Sequence, residues 1–217
     1  RTLMTAPTRP TRPIRFYRFP LSGHSHRVEL FLSLLGLPVE AIDVDLVQRA
    51  HKRPDFLAKN PFGQVPVIDD GGTIVSDSNA ILAYLAARYD AAGRWLPRDP
   101  AALAHVQQWL SRAAGELAFG PAEARLIKLF GANNDHERAK ALAARLYAVM
   151  DPHLASHRFL AGEHPTIADI AHYSYTAHAP EGGVSLEPYP NVRAWLGRIE
   201  ALPRFVPMPK SPLPAAA

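Results

Sequence analysis

Asp77 and Ser78 stand where an apolar strand pattern gives way to a helical one, and there the chain offers its most specific chemistry. The run NPFGQVPVIDDGGTIVSDSNAILAY, residues 60–84, reads as turn, strand, hairpin, strand and helix. A helix N-terminus presents free backbone N–H groups and a positive partial charge, which suits a carboxylate. The Ser78 hydroxyl adds a donor there. The Asp77 carboxylate, one residue earlier, suits an ammonium. A carboxylate site beside an ammonium site recognises the zwitterionic head of an amino acid. Val65 offers strand-edge N–H and C=O groups to an extended peptide, as in strand addition. Together these groups can hold a small peptide by its head and its backbone.

The elements that must position them follow from the same stretch. Pro61 and Gly63 mark a turn. Val65, Val67 and Ile68 form a short strand with Pro66 inside it. Proline cannot donate to a sheet ladder, so this is an edge or a bend, which a cis Val65–Pro66 bond would satisfy. Asp69 to Gly72 is hairpin chemistry, and Thr73, Ile74 and Val75 make the returning strand. Ser78 is expected as N-cap of a helix to about Arg88, with Ile81, Leu82 and Leu85 on its apolar face. Upstream, 14–19 reads as a strand ended by Pro20, and 21–25 as a loop. The helix that follows carries Val28, Phe31, Leu32 and Leu35 and stops at Gly36 and Pro38. A strand over 39–46 and a polar stretch over 48–58 complete the half. The order βαβ, linker, ββα predicts an α/β thioredoxin-like domain over 14–89, with a mixed four-stranded sheet.

NPFGQVPVI followed by SDSNAIL resembles the glutathione-site signature of the soluble glutathione S-transferase family. The resemblance covers about 14–205 and rests on both motifs in order, between the right strands. It implies that the backbone of Val65, followed by the cis Pro66 of the glutathione-binding set, pairs with glutathione, and that Asp77 and Ser78 hold its γ-glutamyl group. Gln64 matches a further glutathione contact. His51 and Lys52, in AHKRPDF, match a segment that meets the glycine carboxylate, although a solvated basic loop explains them as well. The loop SGHSHRV is similar to the Ser…Arg-Val pattern of the serine-type classes, among them theta, delta, zeta and phi. That similarity puts Ser22 on the catalytic position, with its hydroxyl toward the sulfur. His24 is a possible second sulfur contact or an ordinary loop histidine. Tyr17 is a possible rival, but counting back from Pro20 gives Arg18 the matching position and turns Tyr17 to the other face. Ser25 reads as the cap of the first helical turn.

Composition bounds the rest. The chain has 217 residues, no cysteine and a net charge of +4. Lack of cysteine excludes disulfides, thiolate metal sites and a dithiol active site. The mild basic excess, without a basic run, does not indicate nucleic-acid binding, but it would help gather an anionic substrate. No signal-like segment or membrane-length apolar run is visible, so a cytoplasmic protein without membrane association is expected. There are ten histidines. His153 and His157 are four apart at a helix end where basic groups are ordinary, and no metal site is expected.

Residues 1–13 are proline-rich and expected to be disordered, and 90–100 reads as a linker. From 101 to 202 nearly everything is helical, predicting an all-α bundle. A helix over 101–119 breaks or kinks at Gly120-Pro121, another spans 122–130, and a third spans 136–155. Thr166 to Asp169 opens a further helix with a capping box, and the last helix carries Val192, Trp195, Leu196 and Ile199. The tail, 203–217, is expected extended, as a lid or as disorder. Phe62 is either a core plug or a knob into a second subunit, and the core is the simpler expectation.

The resemblance implies a homodimer that joins the glutathione thiolate to an electrophilic, apolar small molecule in detoxification. By domain order, Trp109, Arg112, Ala113, Glu116 and Phe119 would line the co-substrate pocket. Glutathione-dependent reduction of disulfides or peroxides, and a non-catalytic binding module, remain as alternatives on the same fold.

Overall fold

The computed structural model describes residues 9–211. The expectations for 1–8 and 212–217 lie outside the described residues. The chain divides into two compact units, one of residues up to Leu96 with Pro203–Met208, the other of Pro97–Leu202 with residues from Pro209 on.

The first unit is a thioredoxin-like α/β domain. Its elements are β1 (Ile14–Arg18), α1 (Gly23–Leu34), β2 (Val39–Asp43), α2 (Pro54–Leu57), β3 (Val67–Asp70), β4 (Thr73–Ser76) and α3 (Ser78–Tyr89). The strand order is β2-β1-β3-β4. β1 runs parallel to β2 and antiparallel to β3, and β3 is antiparallel to β4. Period-two alternation divides β1 between the two faces. Phe16 pairs with Ile68 on one face, and Tyr17 pairs with Val67 on the other. The Tyr17–Val67 face packs with Val44 and Phe56, from the segment between β2 and β3. Val28, Leu30 and Phe31 of α1 and Ile81, Leu82 and Leu85 of α3 are all fully buried.

Trp95, inside the stretch expected as a linker, packs its edge on Phe31 with ring centroids 5.2 Å apart. The tail departs from disorder over 203–208, because it is docked on the first unit. Ser33 Oγ donates to the Arg204 carbonyl at 2.7 Å, and His26 Nε2 bonds the Val206 carbonyl at 2.8 Å.

The second unit is an all-helical bundle: α4 (Pro100–Arg112), a π-helical stretch (Ala113–Ala122), α5 (Glu123–Phe130), α6 (His136–Ser156), α7 (Ile167–Ala177) and α8 (Pro190–Glu200). Where a break was expected at Gly120-Pro121, the helix runs on through the π-helical stretch. Pro121 has no N–H and would crowd a regular α-turn, and a wider turn absorbs the misfit. Gly120 also permits close packing on α6, since a Cβ there would lie 2.8 Å from the backbone nitrogen of Ala143. α7 is the central helix, with every residue from Ile167 to Thr176 buried. It starts with the expected capping box of Thr166 and Asp169.

Candidate active site

The site is built on two helix N-termini in the first unit. At α1, Ser22 is the N-cap, and its Oγ accepts from the Ser25 N–H at 3.2 Å. Ser25 does not cap the helix; its Oγ accepts from the Phe19 N–H instead. A hydroxyl carries one donor and two acceptor positions. Accepting from Ser25 therefore leaves the Ser22 proton for a group outside the helix.

At α3 the roles of the motif pair differ from expectation. Asp77, not Ser78, is the N-cap, and its Oδ1 accepts from the Ala80 N–H at 2.9 Å. Its φ of 73° lies in the left-handed region that L-residues avoid. Its side chain is exposed, so the carboxylate can meet an ammonium. Ser78 is the first helical residue and is 4% exposed.

Two α1 side chains one turn apart reach Ser78. Arg27 Nη1 donates to Ser78 Oγ at 3.0 Å and to Asn79 Oδ1 at 2.9 Å. His24 Nδ1 lies 3.4 Å from Ser78 Oγ. Burial, with the neighbouring Arg27 charge, lowers the His24 pKa to about 3. The ring is thus neutral near neutral pH, and the Ser78 hydroxyl can donate to Nδ1. A buried guanidinium and a helix N-terminus converge on one point, and both favour an anion there. Sequence reasoning missed Arg27 as a site residue. Its signal was a charged residue on an otherwise apolar buried helix face, within the HRV of the loop motif.

The Val65–Pro66 bond is cis. β3 joins the ladder only at Val67, so Val65 lies beyond the paired strand. The Gln64 side chain is exposed. The Gln64 carbonyl accepts from Asn60 Nδ2 at 2.8 Å, and Asn60 Oδ1 accepts from the Phe62 N–H at 3.1 Å. The nearly buried Asn60 therefore shapes the turn that leads into Val65, a role not read from the sequence.

Lys52 is partly engaged within the loop. Its Nζ donates to the carbonyls of Phe62 at 3.2 Å and Gly63 at 2.9 Å. An ammonium has three donors, so one remains. His51 sits in a 3₁₀ turn, with Nδ1 buried and no hydrogen-bond partner among the described residues. Burial and then the charges of Lys52 and Arg49 lower its pKa, so it meets a ligand as a neutral ring.

Three expectations are corrected. Tyr17 is not a sulfur contact: its ring lies in the cluster with Phe56, and burial raises its hydroxyl pKa. Ala113 is fully buried in the helical unit and cannot line a pocket. Trp109 is half-buried and engaged within that unit. Its carbonyl accepts from His172 Nε2 at 2.8 Å, and its ring packs on His153 and His172. Arg112, Glu116 and Phe119 each keep some exposure. Arg112 Nη1 donates to Glu116 Oε1 at 2.9 Å, and Phe119 is 61% exposed. Among the described residues, no cluster of three or more His, Asp or Glu is placed to hold a metal, and no helix is long and apolar enough to cross a membrane.

Residues 16–94 match the family model described as Glutathione S-transferase, N-terminal domain, and 121–203 match Glutathione S-transferase, C-terminal domain. Glutathione S-transferase 3 of Zea mays is 34% identical over 218 residues, covering 92% of this chain and 97% of its own. The crystal structure of a glutathione S-transferase from Pseudomonas fluorescens superposes with a TM-score of 0.82 at 36% identity, over 91% of this chain and 99% of the other. A glutathione transferase homolog from Drosophila mojavensis with bound glutathione gives a TM-score of 0.80 at 27% identity, over 88% and 89%. With both of its domains matched and these relatives covered over most of their length, the chain belongs to the glutathione S-transferase family.

Proposed function

We propose that the protein is a transferase that joins the glutathione sulfur to an electrophilic, apolar small molecule. The observation that carries this reading is the convergence of Arg27 and the α3 N-terminus on Ser78, with the Asp77 carboxylate beside it. That is a receptor for an α-carboxylate next to an α-ammonium, the head of a γ-glutamyl peptide. The backbone of Val65, ahead of Pro66, receives the peptide's middle. Gln64, the remaining donor of Lys52 and the neutral His51 ring face its glycine end.

Ser22 is the sulfur contact in this reading. A free thiol has a pKa near ~8.5, so making it mostly thiolate at neutral pH needs a shift of about two units, ~2.7 kcal/mol. A hydrogen bond to a charged acceptor supplies roughly 1.5–3 kcal/mol. The α1 N-terminus directly behind Ser22 adds about 0.3–1 kcal/mol. A hydroxyl that keeps its proton therefore suffices. The thiol proton leaves to solvent, the thiolate sulfur attacks the electrophilic carbon, and the C–S bond forms as the leaving group departs with its electron pair. The protein contributes positioning and thiolate stabilisation. The relatives' transferase names do not favour the reductase or binding-module alternatives.

We further assign the protein to the cytoplasm as a homodimer. Phe62 supports the dimer: contrary to the core expectation it is 80% exposed, and an aromatic so placed suits a partner surface. A gel-filtration mass near one chain would count against it. The test of the activity is glutathione conjugation of 1-chloro-2,4-dinitrobenzene. Turnover by the wild type, reduced about tenfold or more in Ser22→Ala, supports the reading. No turnover and no calorimetric binding of glutathione by folded wild type would sink it.

A further inference from the structure

The segment Pro203–Met208 follows the helical unit in sequence, yet it belongs to the first unit. It runs antiparallel to α1. At the C-terminal end of the helix, Ser33 Oγ donates to the Arg204 carbonyl at 2.7 Å. The Arg204 guanidinium lies over Gly36, where an added Cβ would meet Nη1 at 1.6 Å. Arg204 itself is a non-glycine residue with φ of 68°, a conformation that persists only where surrounding contacts hold it. Two residues further on, toward the helix N-terminus, the Val206 carbonyl bonds His26 Nε2 at 2.8 Å. Met208 is then 3% exposed.

His26 is itself 1% exposed and sits in the first turn of α1. Its backbone N–H donates to the Ser22 carbonyl at 2.9 Å, the first hydrogen bond of the helix. The residue whose N–H makes that first bond is thus also the residue whose ring is tied to the tail. A buried imidazole N–H needs an acceptor, and the tail carbonyl provides it. We propose that Pro203–Met208 is a brace for the thiolate site, and that His26 is the positioning residue through which it fixes the first turn of α1. The inference rests on the reading of that turn as the sulfur site. Small displacements of an oriented donor have large kinetic effects, on the order of a hundredfold for about 1 Å, so such a brace acts on turnover before it acts on binding.

The test uses the full chain as wild type, His26→Phe, His26→Gln, Ser33→Ala and Ser22→Ala. The thiol pKa of bound glutathione is read from the pH dependence of thiolate ultraviolet absorbance, beside kcat and KM. His26→Phe keeps the bulk and removes the donor. It should raise the bound thiol pKa by about one unit and lower kcat about three- to tenfold, with KM for glutathione within about twofold. His26→Gln should restore most of both. A folded His26→Phe variant with wild-type thiol pKa and kcat overturns the brace, as does a loss that glutamine does not restore. If His26→Phe fails to fold, Ser33→Ala decides: a smaller rise in thiol pKa supports the brace, and none overturns it. Ser22→Ala separates the two readings. If it leaves the thiol pKa unchanged while His26→Phe moves it, the serine assignment falls and the brace stands on another first-turn group. If neither moves it, both fall.

Discussion

Arg27, 1% exposed, donates from one guanidinium nitrogen to Ser78 Oγ at 3.0 Å. The same nitrogen reaches Asn79 Oδ1 at 2.9 Å, so one α1 side chain fixes the first two residues of α3. Arginine is rarely buried to this extent. Its charge stands behind a helix N-terminus, and both favour the substrate carboxylate proposed to bind there. The two helices are thus linked by polar contacts at their N-termini as well as by their apolar faces.

Removing that charge should weaken glutathione binding. Arg27→Leu is expected to lower affinity about ten- to a hundredfold, the ~1.5–3 kcal/mol of a hydrogen-bonded charge. Arg27→Lys should recover only part, because a compact ammonium on a different stem does not reproduce the position of the guanidinium nitrogen that reaches both Ser78 and Asn79. Calorimetry on folded protein measures both. Wild-type affinity in the leucine variant would refute the role.

Asp77 caps α3, and its proposed role of meeting the substrate ammonium is separable from that. Asn caps as well as Asp and tolerates positive φ. Asp77→Asn should therefore keep the thermal midpoint while lowering glutathione affinity about fivefold or more. Asp77→Ala should lose affinity and also about 1 kcal/mol of stability with the cap. Asp77→Gly relieves the strained φ of 73° and should be the more stable of these two non-binding variants. Retained affinity in Asp77→Asn would remove the charge from recognition.

His24 makes stability depend on pH in a definite direction. Its folded-state pKa is lowered to about 3 by burial and by Arg27. Between about pH 6.5 and 3 the unfolded chain therefore binds the proton more readily, so stability is fully present above ~6.5 and falls as pH drops toward 3. His24→Gln should flatten part of that acid-side loss in melting curves recorded from pH 7 to 4. His153, lowered by burial and by His157 against the Leu160 hydrogen bond, adds a second contribution of the same sign, which His24→Gln leaves in place. An identical pH dependence in variant and wild type would refute the His24 contribution.

The fold was largely legible in the sequence because it rests on local signals. Alternation in β1, the Asp-Gly hairpin, the Pro66 bend and the Thr166–Asp169 box each carry their own stereochemistry. The site was legible only where a motif was contiguous. Arg27 was missed because its partners are more than fifty residues away in sequence and a helical arginine is usually exposed. Ser78 was assigned the cap that Asp77 holds, since either residue type serves and only the positive φ decides. Trp109 and Ala113 were assigned to a pocket from domain order, whereas Ala113 is fully buried and the half-buried Trp109 is engaged by His172 of α7. The docking of the tail left no local signal, because proline-rich segments look alike whether a helix face receives them or not.

Asp169 provides the sharpest test of structure separated from chemistry. The carboxylate is 0% exposed. One oxygen accepts from Leu160 N–H at 2.9 Å and Trp195 Nε1 at 2.8 Å. The other accepts from Thr166 N–H at 2.9 Å and Thr166 Oγ1 at 3.4 Å. All four partners are donors, so an acceptor-only group is required. Asp169→Asn would turn an amide NH₂ toward two of those donors, and it should therefore destabilise the fold nearly as much as Asp169→Ala. Each leaves two or more buried donors unpaired, a loss of at least about 3 kcal/mol. Trp195 of α8, the turn at Leu160 and the start of α7 would loosen together, since one carboxylate joins all three. Chemical denaturation measures the loss, and calorimetry on the folded fraction should return wild-type glutathione affinity, because no atom of the thioredoxin-like unit changes. A stable Asp169→Asn variant would refute the donor argument, and a folded variant with weakened glutathione binding would give Asp169 a place in recognition.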